Sequence, residues 1–328
     1  MKKKLAVWQL IRDSLDANVP VTLLYVLESN GSSPGRQGFF MAVTAVGSMQ
    51  GSIGGGMMEQ KLVEKARANM QLGTSNRQEG ELIKQVHDKA AAKNQSGMIC
   101  SGEQKVWMYR VQQKDKEAIS QVISCLENFE NATLQINRAG IFFQRSTSAK
   151  TFFNFHNEED WLYEEMLGYQ NHLYIIGGGH CSLALSNLVS TLDFYIHLLD
   201  NRSNLLTVEQ NETAHEKILL DDYSELSPLI QSGNNNYVVV MTFGYRTDDI
   251  VVRALLDKQF KYFGLLGSKA KIQNMFETYR SEGIDEKFLQ SIHAPVGLQI
   301  KSETPEEIAV SIAAELIKVK NAPPQHNA

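Results

Sequence analysis

The chain has 328 residues, of which 43% are hydrophobic and 21% charged, and its formal net charge is −5. That length allows two domains with full cores, and the acidic balance gives neither nucleic acid nor an anionic membrane a reason to bind. Three cysteines, Cys100, Cys125 and Cys181, are too few and too scattered for a disulfide framework, so a reducing, cytoplasmic setting is expected.

The opening Met1-Lys2-Lys3-Lys4 imitates the basic start of a signal peptide, but Arg12 and Asp13 cut the apolar stretch short. Leu5, Trp8, Ile11 and Leu15 instead share one face of an amphipathic helix, and no run is long enough to span a membrane. Residues 21–27 read as a strand after Pro20, residues 31–38 as a loop rich in Gly, Ser and Pro, and residues 39–46 as a second strand. A turn at 47–51 leads into Gly51-Ser52-Ile53-Gly54-Gly55-Gly56, and a helix over 57–72 follows, stopped by Gly73. Residues 101–111 are expected to return to the same sheet, which completes a mixed α/β domain over 1–111.

Residues 112–170 read as a connecting segment. It holds a helix at 118–129, a hairpin with strands at 133–136 and 141–143, and a short strand at 152–155.

The second domain, 171–320, opens with the apolar strand Leu173-Tyr174-Ile175-Ile176, which runs into Gly177-Gly178-Gly179-His180. A helical pattern follows at Leu183, Leu185, Leu188, Val189 and Leu192, then a strand over 195–199 that ends in Asp200. Strand, glycine turn, helix, strand and acidic tip is the order of a mononucleotide-binding βαβ unit. Gly177 and Gly179 fill the first two positions of G-x-G-x-x-G, while Ser182 holds the third. Glycines let the backbone approach a phosphate and the helix N-terminus offers N–H groups to hold it, although a tight turn without any ligand uses the same residues. Asp200 is placed to accept hydrogen bonds from a ribose. Strands are expected at 217–220, 237–242 and 262–266, and helices at 248–259 and 268–280. A last helix is capped by Thr304, with Pro305 at its first position and Glu307 closing a capping box. The polar tail, 321–328, is expected to be disordered. The fold class is α/β: an N-terminal mixed α/β domain plus a C-terminal Rossmann-like parallel-sheet domain. Two glycine loops on one chain suggest a ligand held between two domains.

Several motifs together resemble the XdhC/CoxI family, the accessory proteins of molybdenum hydroxylases. In the first domain they are Gly31-Ser32-Ser33-Pro34, the Gly51 to Gly56 stretch with Glu59, and Cys100-Ser101-Gly102. In the second they are Gly177-Gly178-Gly179-His180, Leu199-Asp200-Asn201-Arg202, Gly264-Leu265-Leu266-Gly267-Ser268, His293-Ala294-Pro295-Val296-Gly297-Leu298 and Thr304-Pro305-Glu306-Glu307-Ile308-Ala309. The chain departs from the family pattern at Gly35, where Arg is usual and Arg36 follows one place later. It departs again at Ser101, and at Phe243-Gly244-Tyr245, where histidines usually follow the Thr.

The resemblance implies a protein that binds the molybdenum cofactor (molybdopterin), supports its sulfuration by a cysteine desulfurase and delivers it to a molybdenum hydroxylase client of the xanthine dehydrogenase type. It also implies a homodimer with no turnover chemistry of its own. Such a cofactor needs an anion cradle, hydrogen bonds to pterin edges and exclusion of water. Gly54, Gly55 and Gly56 before a helix offer one cradle, and Gly177, Gly178 and Gly179 a second. Ser32, Ser33 and Arg36 are candidate partners for the ligand, as are His180, Asp200, Thr242, Gly267 and Ser268. Each has a purely structural alternative in a turn, a cap or a solvated surface. Glu59 reads as a helix-dipole partner. Cys100 is the candidate sulfur for a molybdenum or sulfur contact, with inert burial as the alternative. Cys125 and Cys181 read as core, although the helix N-terminus at Cys181 would lower its thiol pKa. An NAD(P)-dependent oxidoreductase is the other reading of Gly177, Gly179 and Asp200, but no convincing acid–base pair accompanies them. A pure interaction scaffold is the third.

Overall fold

A computed structural model describes residues 2–71, 80–86, 102–146 and 151–322. The chain divides into two compact units, Met1–Gly168 and Tyr169–Ala328. No described helix is long and apolar enough to cross a membrane.

The first unit contains, in chain order, α1 (Lys2–Asp16), β1 (Val21–Asn30), β2 (Phe40–Thr44), β3 (Met49–Gly51), α2 (Gly56–Gln71), β4 (Glu81–Val86), β5 (Glu103–Arg110), α3 (Lys116–Glu127), β6 (Ala132–Asn137), β7 (Gly140–Gln144), β8 (Phe152–Phe155) and β9 (Trp161–Leu167). Five strands form an antiparallel sheet in the order β3-β2-β1-β5-β4, and four form a second in the order β7-β6-β9-β8. Successive side chains of a strand face opposite ways, and β1 is buried on both faces. Val21, Leu23, Tyr25 and Leu27 share a core with Trp8 and Ile11 of α1, Ile119 and Val122 of α3, and Leu134 and Tyr163 of the second sheet. Leu24 and Val26 meet Met58, Leu62 and Ala66 of α2 on the other side.

That shared core runs past residue 111, where the first domain was expected to end. Residues 112–168 belong to the first compact unit instead of forming a connection. The apolar face of α3 has to be buried, and α1 together with β7 and β9 of the second sheet covers it. Residues 49–51, expected as part of a turn, pair with β2 as β3. Strands β4 and β9 were not expected. The stop expected at Gly73 lies outside the described residues, as do residues 323–328 of the tail.

The second unit contains β10 (Asn171–Ile176), α4 (His180–Val189), β11 (Phe194–Asp200), α5 (Leu206–Glu209), β12 (Glu216–Leu219), α6 (Leu226–Leu229), β13 (Gly233–Val240), α7 (Tyr245–Ala254), β14 (Phe260–Leu265), α8 (Lys269–Ser281), α9 (Glu286–Ser291), β15 (Ile292–His293) and α10 (Pro305–Lys320). Its six strands are all parallel, in the order β12-β11-β10-β13-β14-β15. This is the doubly wound Rossmann order, and the direction of winding reverses between β10 and β13. The central strands are apolar because both faces are covered. Leu173, Ile175 and Val239 pack on one side with Leu185 of α4 and Ile312 and Leu316 of α10. Ile176, Val238 and Val240 pack on the other with Val251 of α7 and Met275 of α8. The cap of α10 forms as expected: Thr304 Oγ1 accepts the Glu307 N–H at 3.2 Å, and Glu307 Oε2 accepts the Thr304 N–H at 3.2 Å.

Candidate functional site

In open parallel sheets, ligands settle outside the carboxyl ends of the strands where the winding reverses. Here that place lies beyond Ile176 of β10 and Val240 of β13, which are in register. Gly177 has φ +105°, and a Cβ on it would collide with the Met241 carbonyl. Its N–H donates to the Leu199 carbonyl at 2.7 Å. A Cβ on Gly178 would collide with Val208. Gly179 differs, because a Cβ there would meet nothing within 4 Å. Packing therefore demands the first two glycines, while the third leaves the turn open at the start of α4. The Ser182 hydroxyl donates to the Gly177 carbonyl and the Thr207 hydroxyl to that of Gly178, so both polar side chains brace the turn. Ser182 is buried, which suits the close helix–strand packing required at the third fingerprint position. His180, the first residue of α4, is exposed.

Asp200 ends β11 and is only 3% exposed. Its Oδ2 accepts the Gly178 N–H at 2.5 Å and Arg202 Nη2 at 2.7 Å. Its Oδ1 accepts the Arg202 backbone N–H at 2.8 Å and Arg202 Nε at 2.9 Å. Burial alone would raise its pKa, but the Arg202 fork and the two backbone N–H groups outweigh burial and hold the carboxyl below its usual range. The residue expected to meet a ribose thus spends its acceptor sites on the turn and on Arg202. The guanidinium lies 5.9 Å from the ring of Phe243, which is 87% exposed.

Thr242 follows β13. Its N–H donates to Asp248 Oδ1 at 3.2 Å, and its hydroxyl lies 2.6 Å from that of Thr247. Asp248 is fully buried and pairs with Lys271, whose Nζ also donates to the Leu266 carbonyl at 3.3 Å. Ser268 caps α8 by accepting the Lys271 N–H at 3.3 Å, and a Cβ on Gly267 would press on Lys271 Cδ at 3.0 Å. Thr242, Gly267 and Ser268 are therefore tied together through Asp248 and Lys271. Sequence reasoning gave no role to Arg202, Phe243, Asp248 or Lys271. The available signals were an Arg two places after the acidic tip and an acid six places after Thr242.

In the first unit the structure brings three motifs together, backbone against backbone. A Cβ on Gly35 would collide with the Ile53 carbonyl, one on Gly54 would reach Gly35 N at 2.5 Å, and one on Gly102 would reach the Ser32 carbonyl at 2.5 Å. Ser33 is buried and donates to Gln104 Oε1 at 2.9 Å, whereas Ser32 is exposed. Arg36 is exposed and donates to the Gly31 carbonyl at 3.2 Å. Cys100 lies outside the described residues. Gly54, Gly55 and Gly56 all take positive φ, at +129°, +75° and +67°. Glu59 already fills part of the cradle they form: its Oε2 accepts the Ser52 hydroxyl at 2.7 Å, the Ile53 N–H at 2.8 Å and the Gly55 N–H at 3.0 Å. Two of the amides that favour an anion thus hold the chain's own carboxylate.

Of the other cysteines, Cys125 is buried in the core of the first unit and Cys181 is half-buried against the core of the second. The Cys125 thiol donates to the Glu130 carbonyl at 3.1 Å, and burial pushes its pKa up to about 11. At Cys181 burial, followed by the charge of Glu306, raises the pKa and overrides the lowering expected from the helix N-terminus. Among the described residues, no group of three or more His, Cys, Asp or Glu side chains is arranged to hold a metal ion.

Comparison with known proteins agrees with this architecture. Residues 173–316 match the XdhC Rossmann domain, and residues 14–80 match the XdhC and CoxI family. The uncharacterized protein YqeB of Escherichia coli is 25% identical over 94% of this chain, which spans 45% of that relative's length. A Bacillus subtilis protein named as a probable subunit of xanthine dehydrogenase is 23% identical, with 93% of this chain and 95% of the relative covered. A crystal structure titled as a xanthine dehydrogenase from Bacillus halodurans superposes with a TM-score of 0.71 at 22% identity, covering 98% of this chain and 97% of that one. The chain belongs to the XdhC/CoxI family, whose members are accessory proteins linked to molybdenum cofactor metabolism.

Proposed function

We propose that this protein binds the molybdenum cofactor, shelters it and hands it to a molybdenum hydroxylase, without turnover chemistry of its own. The observation that supports this best is the asymmetry of the glycine turn at the reversal of the second sheet. Gly177 and Gly178 are packed in, and Gly179 is left open where a phosphate would approach main-chain amides.

The cofactor supplies the metal–dithiolene centre, and the chain supplies its surroundings. Gly179 and His180 present the N-terminus of α4 to the phosphate, while Gly178, its N–H held by Asp200, shapes the turn behind them. Thr242, Gly267 and Ser268 offer polar edges, held in place by the buried Asp248–Lys271 pair. In the first unit Ser32, Arg36, Gly54 and Gly56 make a second candidate set, and Cys100 is the proposed sulfur contact. The names carried by the Bacillus relatives support a client of the xanthine dehydrogenase type. A cysteine desulfurase as sulfur donor and a homodimer complete the proposal. The oxidoreductase reading loses its ribose acceptor, since the Asp200 carboxylate is filled from within.

The test is mass spectrometry of the small molecules that co-purify after anaerobic, molybdate-replete expression. Molybdopterin is expected with the native chain. A Gly179→Val variant should lose it while keeping its melting temperature. A native protein that retains no pterin, even when molybdopterin is added in excess, overturns the proposal.

A further inference from the structure

The outer edge of the crevice in the second unit is built from Asp200, Arg202 and Phe243. An ionised carboxylate has about four lone-pair sites. All four at Asp200 are taken, by the N–H of Gly178, the N–H of Arg202, and Nε and Nη2 of the same guanidinium. A ribose diol needs an acceptor here, and none is left. The carboxylate side chain is 3% exposed and the Arg202 side chain 36%, so the ion pair is a dipole with its positive end turned to solvent. Among the described residues Arg202 Nη1 takes no hydrogen bond, so its two N–H groups remain for a ligand. Phe243 stands beside the guanidinium with nearly its whole ring open to solvent, a platform for a flat heterocycle.

We propose that this edge selects a phosphomonoester over a ribose diol, with Arg202 as the selecting residue and Phe243 as the stacking surface. The inference rests on the reading that the crevice takes a phosphorylated ligand. It adds which end group that ligand presents. Two sources carry such a group: a nucleotide bearing a phosphate on its ribose, and a pterin cofactor that ends in its own phosphate without a nucleotide extension.

The test is calorimetric titration of the full chain with two matched pairs. NAD+ and NADP+ differ only by a ribose phosphate. Molybdopterin and its dinucleotide form differ by whether the terminal phosphate is free. In at least one pair the phosphomonoester member should bind about tenfold more tightly at low salt, and the pair that discriminates identifies the source. Arg202→Gln should bring that ratio close to one. Phe243→Ala, a change at an exposed ring, should weaken both members and leave the ratio alone. Equal affinities in both pairs, preference for the diol, or no binding in either pair overturns the inference. If Arg202→Gln does not fold, the ratio in the native chain still decides. Retention of molybdopterin without discrimination would leave the cofactor proposal standing and remove only this one. Discrimination between nucleotides with no pterin retained would do the reverse.

Discussion

The Gly178 N–H donates to Asp200 Oδ2 at 2.5 Å, so the carboxylate at the end of β11 fastens the turn at the end of β10. A group commonly read as a ligand contact is here part of the frame that shapes the ligand site. Its stability role can therefore be separated from any binding role.

Asp200→Ala leaves the buried Gly178 N–H without an acceptor and the partly exposed Arg202 donors to water. The expected loss is about 2 kcal/mol, the range for a buried donor left unsatisfied. Urea unfolding measures it. The sign with pH follows from the lowered pKa of the folded state. The contribution is complete above the unfolded carboxyl value, about 3.9, and is lost only as pH falls through the lower folded value. The native–variant difference should be the same at pH 8 and pH 6. A difference that shrinks between those two values would place the effect elsewhere.

Gly177 and Gly179 should respond unequally to the same substitution. Gly177→Ala forces a Cβ into the Met241 carbonyl at φ +105°, and a loss of about 2 kcal/mol or more is expected. Gly179→Ala has φ −74° and open space, so its stability should stay within about 0.5 kcal/mol of the native chain. Any loss of ligand binding in that variant then reports on the site itself. Equal destabilisation of the two variants would contradict the geometry.

The βαβ unit was legible because every level agreed: an apolar strand, a glycine turn, a helical period and an acidic tip. The cap of α10 was legible for the same reason, since Thr304, Pro305 and Glu307 act on neighbours three residues away. What was hidden depended on contacts distant in sequence. β9 alternates cleanly in burial, yet Glu165 takes one of its inward places. That carboxylate accepts the hydroxyls of Tyr25 and Tyr163 at 2.7 Å each, a tolerance no local pattern announces. Asp200 and Glu59 show the limit for sites. An acid beside a glycine turn looks the same in sequence whether it awaits a ligand or already satisfies the chain's own amides.

Glu59 provides a direct test of that ambiguity. Glu59→Ala should cost about 1–2 kcal/mol, because the Ile53 and Gly55 N–H groups lose their acceptor. It also empties a cradle of positive-φ glycines beside a helix N-terminus. Added phosphate should then stabilise the variant more than it stabilises the native chain, in melting experiments at matched ionic strength. An identical response of the two proteins would mean that the turn does not attract anions.

A histidine pair sets the expected acid response of the second unit. His172 Nδ1 lies 3.1 Å from His197 Nε2, and His197 Nδ1 lies 2.6 Å from Glu216 Oε2. At that separation one proton fits between the rings and two do not. Burial, then the charge of His197, lowers the His172 pKa. Burial also lowers that of His197, against the opposing pull of Glu216. Histidines held below their unfolded value of about 6.5 bind fewer protons in the native state, so they leave stability intact above that pH and reduce it as pH falls below. Unfolding free energy should therefore decline from pH 7.5 to pH 5.5, at up to ~1.4 kcal/mol per pH unit for each proton taken up on unfolding. His172→Gln with His197→Gln removes both titrations while keeping polar side chains in place, and the decline should become shallower. If the double variant follows the native pH profile, the pair is not what couples folding to acid in this unit.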